Sequence, residues 1–264
     1  MKMIKRHFFF GKGKKVNNNT HEPEFDKGGA EGKEKTKTAS GKSNKAANNT
    51  TELVFIIDKS GSMQGFENDT IGGFNAMIDK QKNEDGAAYV TTVFFNNNSE
   101  LIHDRVELAK VEPLTEKQYR VGGCTALLDT IGWTIEHIKR IHRYARPEDV
   151  PAKTIFLITT DGMENASQKY VSDGVKKMIK DCEAGGWEFI FVAANIDAVE
   201  TAEKIGIRRE RAANYCQDSE GTDRVYRAMS EAVLSYRRDD RISENWSDIL
   251  SMDNKKRDSE NKGS

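Results

Sequence analysis

The sequence predicts an α/β protein: a three-layer sandwich in which a mainly parallel sheet is covered by helices on both faces. Three observations carry this. Runs with strand character alternate with runs of helical spacing from about residue 52 to residue 237. Two strand runs, "KTIFLITT" and "FIFVAA", have no polar face, as expected of strands covered on both sides. A tight polar turn, "NNNS", joins two further runs into a hairpin, which adds one antiparallel edge strand.

In chain order, "ELVFIID" is a continuous apolar strand. "IGGFNAMIDKQKNE" has helical spacing in Ile71, Phe74, Met77 and Ile78. "AAYVTTVFF" is the second strand and "SELIHDRVEL" the third. The third alternates, with Leu101, His103, Arg105 and Glu107 on one side and Ile102, Asp104, Val106 and Leu108 on the other, as an edge strand with a wet face does. "TALLDTIGWTIEHIKRIHRYA" is an amphipathic helix with Leu128, Ile131, Ile135, Ile138 and His142 along one stripe. "KTIFLITT" is the fourth strand. "YVSDGVKKMIKDCEAGG" is a helix closed by glycines. "WEFIFVAAN" is the fifth strand, "DAVETAEKIG" a short helix, "RAANYC" a short sixth strand and "EGTDRVYRAMSEAVLSYRR" the last helix.

The 264 residues divide into a domain at 51–237 between two polar tails. Residues 1–50 are basic, rich in Lys, Gly, Asn, Ser and Thr, and without apolar periodicity, so they read as a disordered tail. Residues 238–264 are highly charged, with room for a short helix around Trp246, Ile249 and Leu250 that docks on the domain or on a partner.

Several function classes are excluded. Charged residues are 31% of the chain and no apolar run reaches membrane-spanning length. The net charge of −1 gives no global attraction to nucleic acid or anionic lipid, and the basic tail lacks interleaved aromatics. The apolar centre of "MKMIKRHFFFGKGKKV" is too short for a secretory signal, so a cytoplasmic location is expected. Cys124, Cys182 and Cys216 are far apart and form no CxxC, which rules out a disulfide framework or a zinc site of that type. Neither a phosphate-binding G-x-x-x-x-G-K-[ST] nor a G-x-G-x-x-G after the first strand is present.

The chemistry collects where such folds hold their functional residues, at the carboxyl ends of the strands. The first strand ends in Asp58, with Ser60 and Ser62 in the loop that follows. "GGCTALLD" puts Thr125 at a helix start behind two glycines that let the backbone turn. The fourth strand ends in "TTDG", with Asp161 last and Gly162 free to adopt positive φ. Two carboxylates and three hydroxyls are all hard oxygen donors, a set that suits Mg²⁺ or Ca²⁺, tolerates Mn²⁺ and disfavours zinc and copper. Ser60 and Ser62 would bind the ion directly and Thr125 directly or through water. Asp58 and Asp161 would orient hydroxyls and waters from behind. Such neutral ligands leave the cation poorly neutralised, with a position open to an Asp or Glu from another protein.

This pattern, "DKSGS", then "GGCT", then "TTDG", resembles the von Willebrand factor type A (VWA) domain and its metal-ion-dependent adhesion site (MIDAS), over roughly residues 52–237. Segments such as "DTIGGFN", "TDGMENAS" and "ANIDAVETA" are similar to bacterial single-domain members. The resemblance implies a Rossmann-like six-stranded sheet in the order 3-2-1-4-5-6. It also implies a non-enzymatic protein-binding module of adhesion or complex assembly, with an ATPase or a neighbouring operon product as partner. Two other functions remain open at this point. One is a Mg²⁺-dependent phosphohydrolase of the haloacid dehalogenase type, although the place of its second acid is taken here by Ser60. The other is an assembly subunit whose metal is purely structural.

Further residues have two readings each. Glu164 and Asn165 either line the rim of the site or cap a loop. Met63 and Phe66 either form a contact surface or cover the first helix. Thr125 can double as a helix N-cap. Cys124 is a reactive thiol or a small packed residue. His137 and His142 are ordinary helix residues, and Asp197 is a helix cap.

Overall fold

The computed structural model describes residues 49–254, so nearly all of the basic 1–50 segment, and the chain after 254, lie outside the described residues. Six strands form one sheet: β1 (Thr51–Asp58), β2 (Ala88–Phe95), β3 (Ser99–Glu107), β4 (Lys153–Thr160), β5 (Trp187–Ala193) and β6 (Ala212–Asn214). Their order is β3-β2-β1-β4-β5-β6, and every neighbouring pair is parallel except β2 with β3. This is the predicted order. The helices are α1 (Glu67–Lys82), α2 (Leu127–Tyr144), α3 (Ser172–Ala184), α4 (Ala198–Ile205) and α5 (Ser219–Asp239).

The alternation of side chains along β1 divides the core in two. Leu53, Phe55 and Ile57 face α1 and α5 and pack with Phe74, Met77, Met229 and Val233. Val54 and Ile56 face the other way, with Ile131, Ile135 and Ile138 of α2 and Val175 and Ile179 of α3. All eight residues of β1 and all eight of β4 are buried, as their sequences require. Because β1 and β4 are adjacent and parallel, their carboxyl ends emerge side by side where the strand order reverses.

The even alternation expected of β3 does not hold. Its register against β2 shifts twice, between the partners Val90 and Thr92 and between Thr92 and Val93. Arg105 lies in the first irregularity with φ 51°. The extra residues re-aim the side chains: His103 is buried, while Ile102 and Val106 both pack on the α1/α5 core. Arg105 turns inward to Glu52, whose carboxylate it meets at 3.0 Å. Glu52 is wholly buried.

The core also extends past residue 237, where the sequence places the end of the domain. Ile242, Trp246 and Leu250, spaced four apart, are buried in the α1/α5 cluster, and residues 248–254 are helical. Trp246 Nε1 donates to Glu210 O at 2.9 Å. The segment therefore docks on its own domain, its apolar stripe hidden in sequence by the charges around it. Among the described residues, no helix is long and apolar enough to cross a membrane.

Two adjacent glycines of α1 make a paired prediction. A Cβ on Gly73 would lie 2.2 Å from the ring of Tyr226, which is buried in α5; a Cβ on Gly72 meets nothing within 4 Å. Gly73→Ala is expected to destabilise by about 1–2 kcal/mol, overpacking exceeding the gain in helix propensity. Gly72→Ala is expected to stabilise by about 1 kcal/mol. Urea denaturation of the two variants checks the opposite signs.

Candidate metal centre

Asp58 closes β1 with both carboxylate oxygens engaged. Oδ1 accepts from the backbone N–H of Ser60 at 2.7 Å and Oδ2 from the Thr160 hydroxyl at 2.6 Å. Its backbone carbonyl accepts from the Tyr119 hydroxyl. The loop that follows is stitched to the "GGCT" loop by two backbone bonds, Gly122 N to Lys59 O at 2.9 Å and Gly61 N to Gly123 O at 3.0 Å. This close approach explains the glycines. Gly122 and Gly123 have φ of 150° and 83°, and a Cβ on Gly123 would lie 2.2 Å from Asn97 Oδ1.

The hydroxyls converge. Ser60 Oγ lies 3.1 Å from Ser62 Oγ, and Ser62 Oγ donates to Asp161 Oδ1 at 2.6 Å. Gly162 does not use its freedom to adopt positive φ. It lies beside both loops: the point its Cβ would occupy is at ordinary contact distance, 3.5 Å from Ser62 Oγ and 3.7 Å from Thr125 Oγ1. All five predicted residues, Asp58, Ser60, Ser62, Thr125 and Asp161, thus gather on one crest of the sheet. Asp58, Ser60, Thr125 and Asp161 are buried, and Ser62 is exposed.

Thr125 does not cap α2. Ala126 holds the cap position without a side-chain bond. Glu164 caps the helix from across the gap, accepting from Leu128 N at 2.8 Å and also from Ala166 N and Ser167 N. Asn165 brackets Thr125, its Oδ1 accepting from Thr125 N at 2.8 Å and its N–H donating to Thr125 O at 3.0 Å. Glu164 and Asn165 therefore lock the loop, and the Thr125 hydroxyl is spared for the crest.

The other residues take their structural readings, except Cys124, which is not the packed residue of that reading. Met63 is buried and Phe66 half-buried. Asp197 caps α4 through Glu200 N at 2.9 Å. His137 bonds Asp104 at 2.7 Å, and His142 lies 3.6 Å from Glu52. Cys124 is exposed at the rim.

Burial pushes the carboxyls of Asp58 and Asp161 above the usual range. Hydrogen bonds from Thr160 and Ser60, and from Ser62 and Gln217, pull them part of the way back. These partners are all neutral, and Lys59, next in sequence, turns instead to Glu100. Among the described residues, no cationic group stands against these two buried acids, a countercharge that a divalent cation would supply. Among the described residues, no group of three or more His, Cys, Asp or Glu is placed to hold a metal. The donor set that fits one is the hydroxyl-rich set of this crest, suited to a hard cation.

Four supporting residues escaped the sequence reading: Thr160, Tyr119, Asn195 and Gln217. Thr160 stands beside Asp161 in the quoted "TTDG" and was within reach of a register argument. Tyr119 and Gln217 come from loops 61 and 56 residues away from the acids they touch, with no local signal.

No family model matches the chain, and no curated relative matches it. Among solved structures, its fold is similar to a von Willebrand factor type A protein from Catenulispora acidiphila, with TM-score 0.49 and 13% identity over 70% of this chain and 43% of that one. It is also similar to proximal thread matrix protein 1 from the mussel byssus, which has been solved with a zinc-occupied MIDAS motif. There the TM-score is 0.47, with 13% identity over 69% of this chain and 45% of that one. The chain spans less than half the length of these proteins. What its crest does is therefore read from its own residues.

Proposed function

We propose that this chain is a VWA-like, non-enzymatic binding module in which a divalent cation, Mg²⁺ in the cell, captures an aspartate or glutamate of a protein partner at a MIDAS-type centre. One observation carries the proposal: both acids of the crest are committed to bonds within the chain. Asp58 is held by Ser60 N and the Thr160 hydroxyl, Asp161 by Ser62 and Gln217. The inner donors are then Ser60, Ser62 and Thr125, with the acids orienting hydroxyls and waters from behind. A cation held this way keeps most of its charge for an incoming carboxylate.

The same burial of Asp58 speaks against its use as the nucleophile of a phosphohydrolase, since the residue is 1% exposed and each carboxylate oxygen is already held by a hydrogen bond within the chain. The proposal includes a cytoplasmic setting in a bacterium or its phage, supported by the unpaired Cys124, Cys182 and Cys216. A partner encoded nearby, an ATPase among the candidates, belongs to it as well.

The test uses the full chain. Calorimetric titration with MnCl₂ should show binding that Ser60→Ala and Thr125→Ala each weaken by about 10-fold or more. As bait in Mg²⁺ buffer, the wild type should retain a protein that EDTA releases and that Asp58→Ala fails to retain. Capture indifferent to both EDTA and Asp58→Ala would sink the proposal. A melting temperature lowered by EDTA, with the partner still held, would make the metal structural instead.

A further inference from the structure

We propose that Gln217 and Asn195 are positioning residues of the metal centre: they fix the carboxylate of Asp161 so that it orients the Ser62 hydroxyl. This rests on the metal-binding reading of the crest. Gln217 Nε2 donates to Asp161 Oδ2 and, at 3.0 Å, to the Ser62 carbonyl. Asn195 Nδ2 donates to Gln217 Oε1 and, at 3.2 Å, to the Asp161 carbonyl. Two amide side chains, one after β5 and one between β6 and α5, thus close a ring around one acid. With Oδ2 held by Gln217, Oδ1 is left facing Ser62 Oγ at 2.6 Å. Rotation of the carboxylate would break both bonds together.

Each amide is itself held. Asn195 has φ 56°, in the left-handed region that asparagine tolerates better than most residues. The Gln217 loop is pinned on both sides. Asn214 Oδ1 accepts from Ala198 N at 3.2 Å, Asn254 Nδ2 donates to Asn214 O at 3.0 Å, and Asp218 caps α5 by accepting from Gly221 N at 2.7 Å. Conformational strain at one amide and anchoring at the other cost free energy that neither needs for packing, since Asn195 is exposed and Gln217 half-buried. Support of Asp161 gives both features a use.

Two variants test this, with Mn²⁺ alone as the probe and the full chain as the protein. Gln217→Met keeps the length of the side chain and removes the amide. Asn195→Gly accepts the same φ without strain and removes the amide. Each is expected to weaken Mn²⁺ binding by calorimetry about 10-fold, as loss of an outer partner of a metal ligand does. Each should also shrink the rise in melting temperature caused by Mn²⁺, over and above the small fall in the metal-free value that the lost hydrogen bonds cause. A merely structural role would move the metal-free value and leave the Mn²⁺ increment intact, which overturns the inference. So does wild-type affinity in both variants. If the wild type itself gives no Mn²⁺ titration, the metal reading fails and takes this inference with it, an outcome distinct from variants that bind as the wild type does.

Discussion

Arg105→Ala should lower the stability of the domain by about 3–5 kcal/mol, the cost of leaving a buried charge without its partner. In a domain of this size that is a fall in Tm of roughly 6–20 °C. Glu52 lies in the central strand with no exposed surface, and the Arg105 guanidinium meets it at 3.0 Å. The guanidinium also donates to the Asp149 carbonyl at 2.7 Å and stands 4.5 Å over the Tyr89 ring. Alanine removes the countercharge, the cap on Asp149 and the ring contact together. The Thr91 hydroxyl, 3.5 Å from Glu52, and His142 Nε2, 3.6 Å away, are both too distant to replace them. Glu52→Gln in the Arg105→Ala background should recover part of the loss, because an amide tolerates burial better than an unpaired carboxylate. Urea denaturation of the four proteins gives the coupling. Additive losses would mean that the pair does not act as a pair.

Trp246→Ala should cost a similar amount, about 3–5 kcal/mol, as expected for deleting a large buried aromatic. Trp246 is 3% exposed and packs in the α1/α5 core with Ile242 and Leu250. Trp246→Phe should cost far less, about 1–2 kcal/mol, since it keeps most of the packing and loses the bond to Glu210 O. The alanine variant should also loosen residues 248–254, releasing Asn254 from Asn214 and Asp253 from Arg224. Amide hydrogen exchange over 214–218 and 248–254 reads that local effect directly. Unchanged stability in Trp246→Ala would mean that the segment is not part of the core.

What could be read from sequence followed periodicity and proximity along the chain. β1 and β4 announce themselves because double burial leaves no polar residue in their middles. That Asp58, Ser60, Ser62, Thr125 and Asp161 would meet was legible because they stand at or just past the ends of β1 and β4 and beside the start of α2. β3 was misread because a bulge is a property of pairing between two strands, and Arg105 looks like any solvated residue until Glu52 is found opposite. Gln217 and Asn195 could not be seen at all. An amide carries no pattern, and its partner is set by how β5 and β6 pack beside β4. The docked segment after residue 240 was half legible: its apolar spacing was visible, but what it rests against was not.

The two margins of the sheet carry a consequence for how other proteins can attach. On one side the last strand, β3, is broken twice in its ladder and studded with Glu100, Asp104, Arg105 and Glu107; on the other, β6 is three residues long. Neither margin offers a regular row of free amides for a foreign peptide to zip onto. Both recruitment by strand addition and the edge-to-edge stacking that leads to fibrils are blunted at these margins.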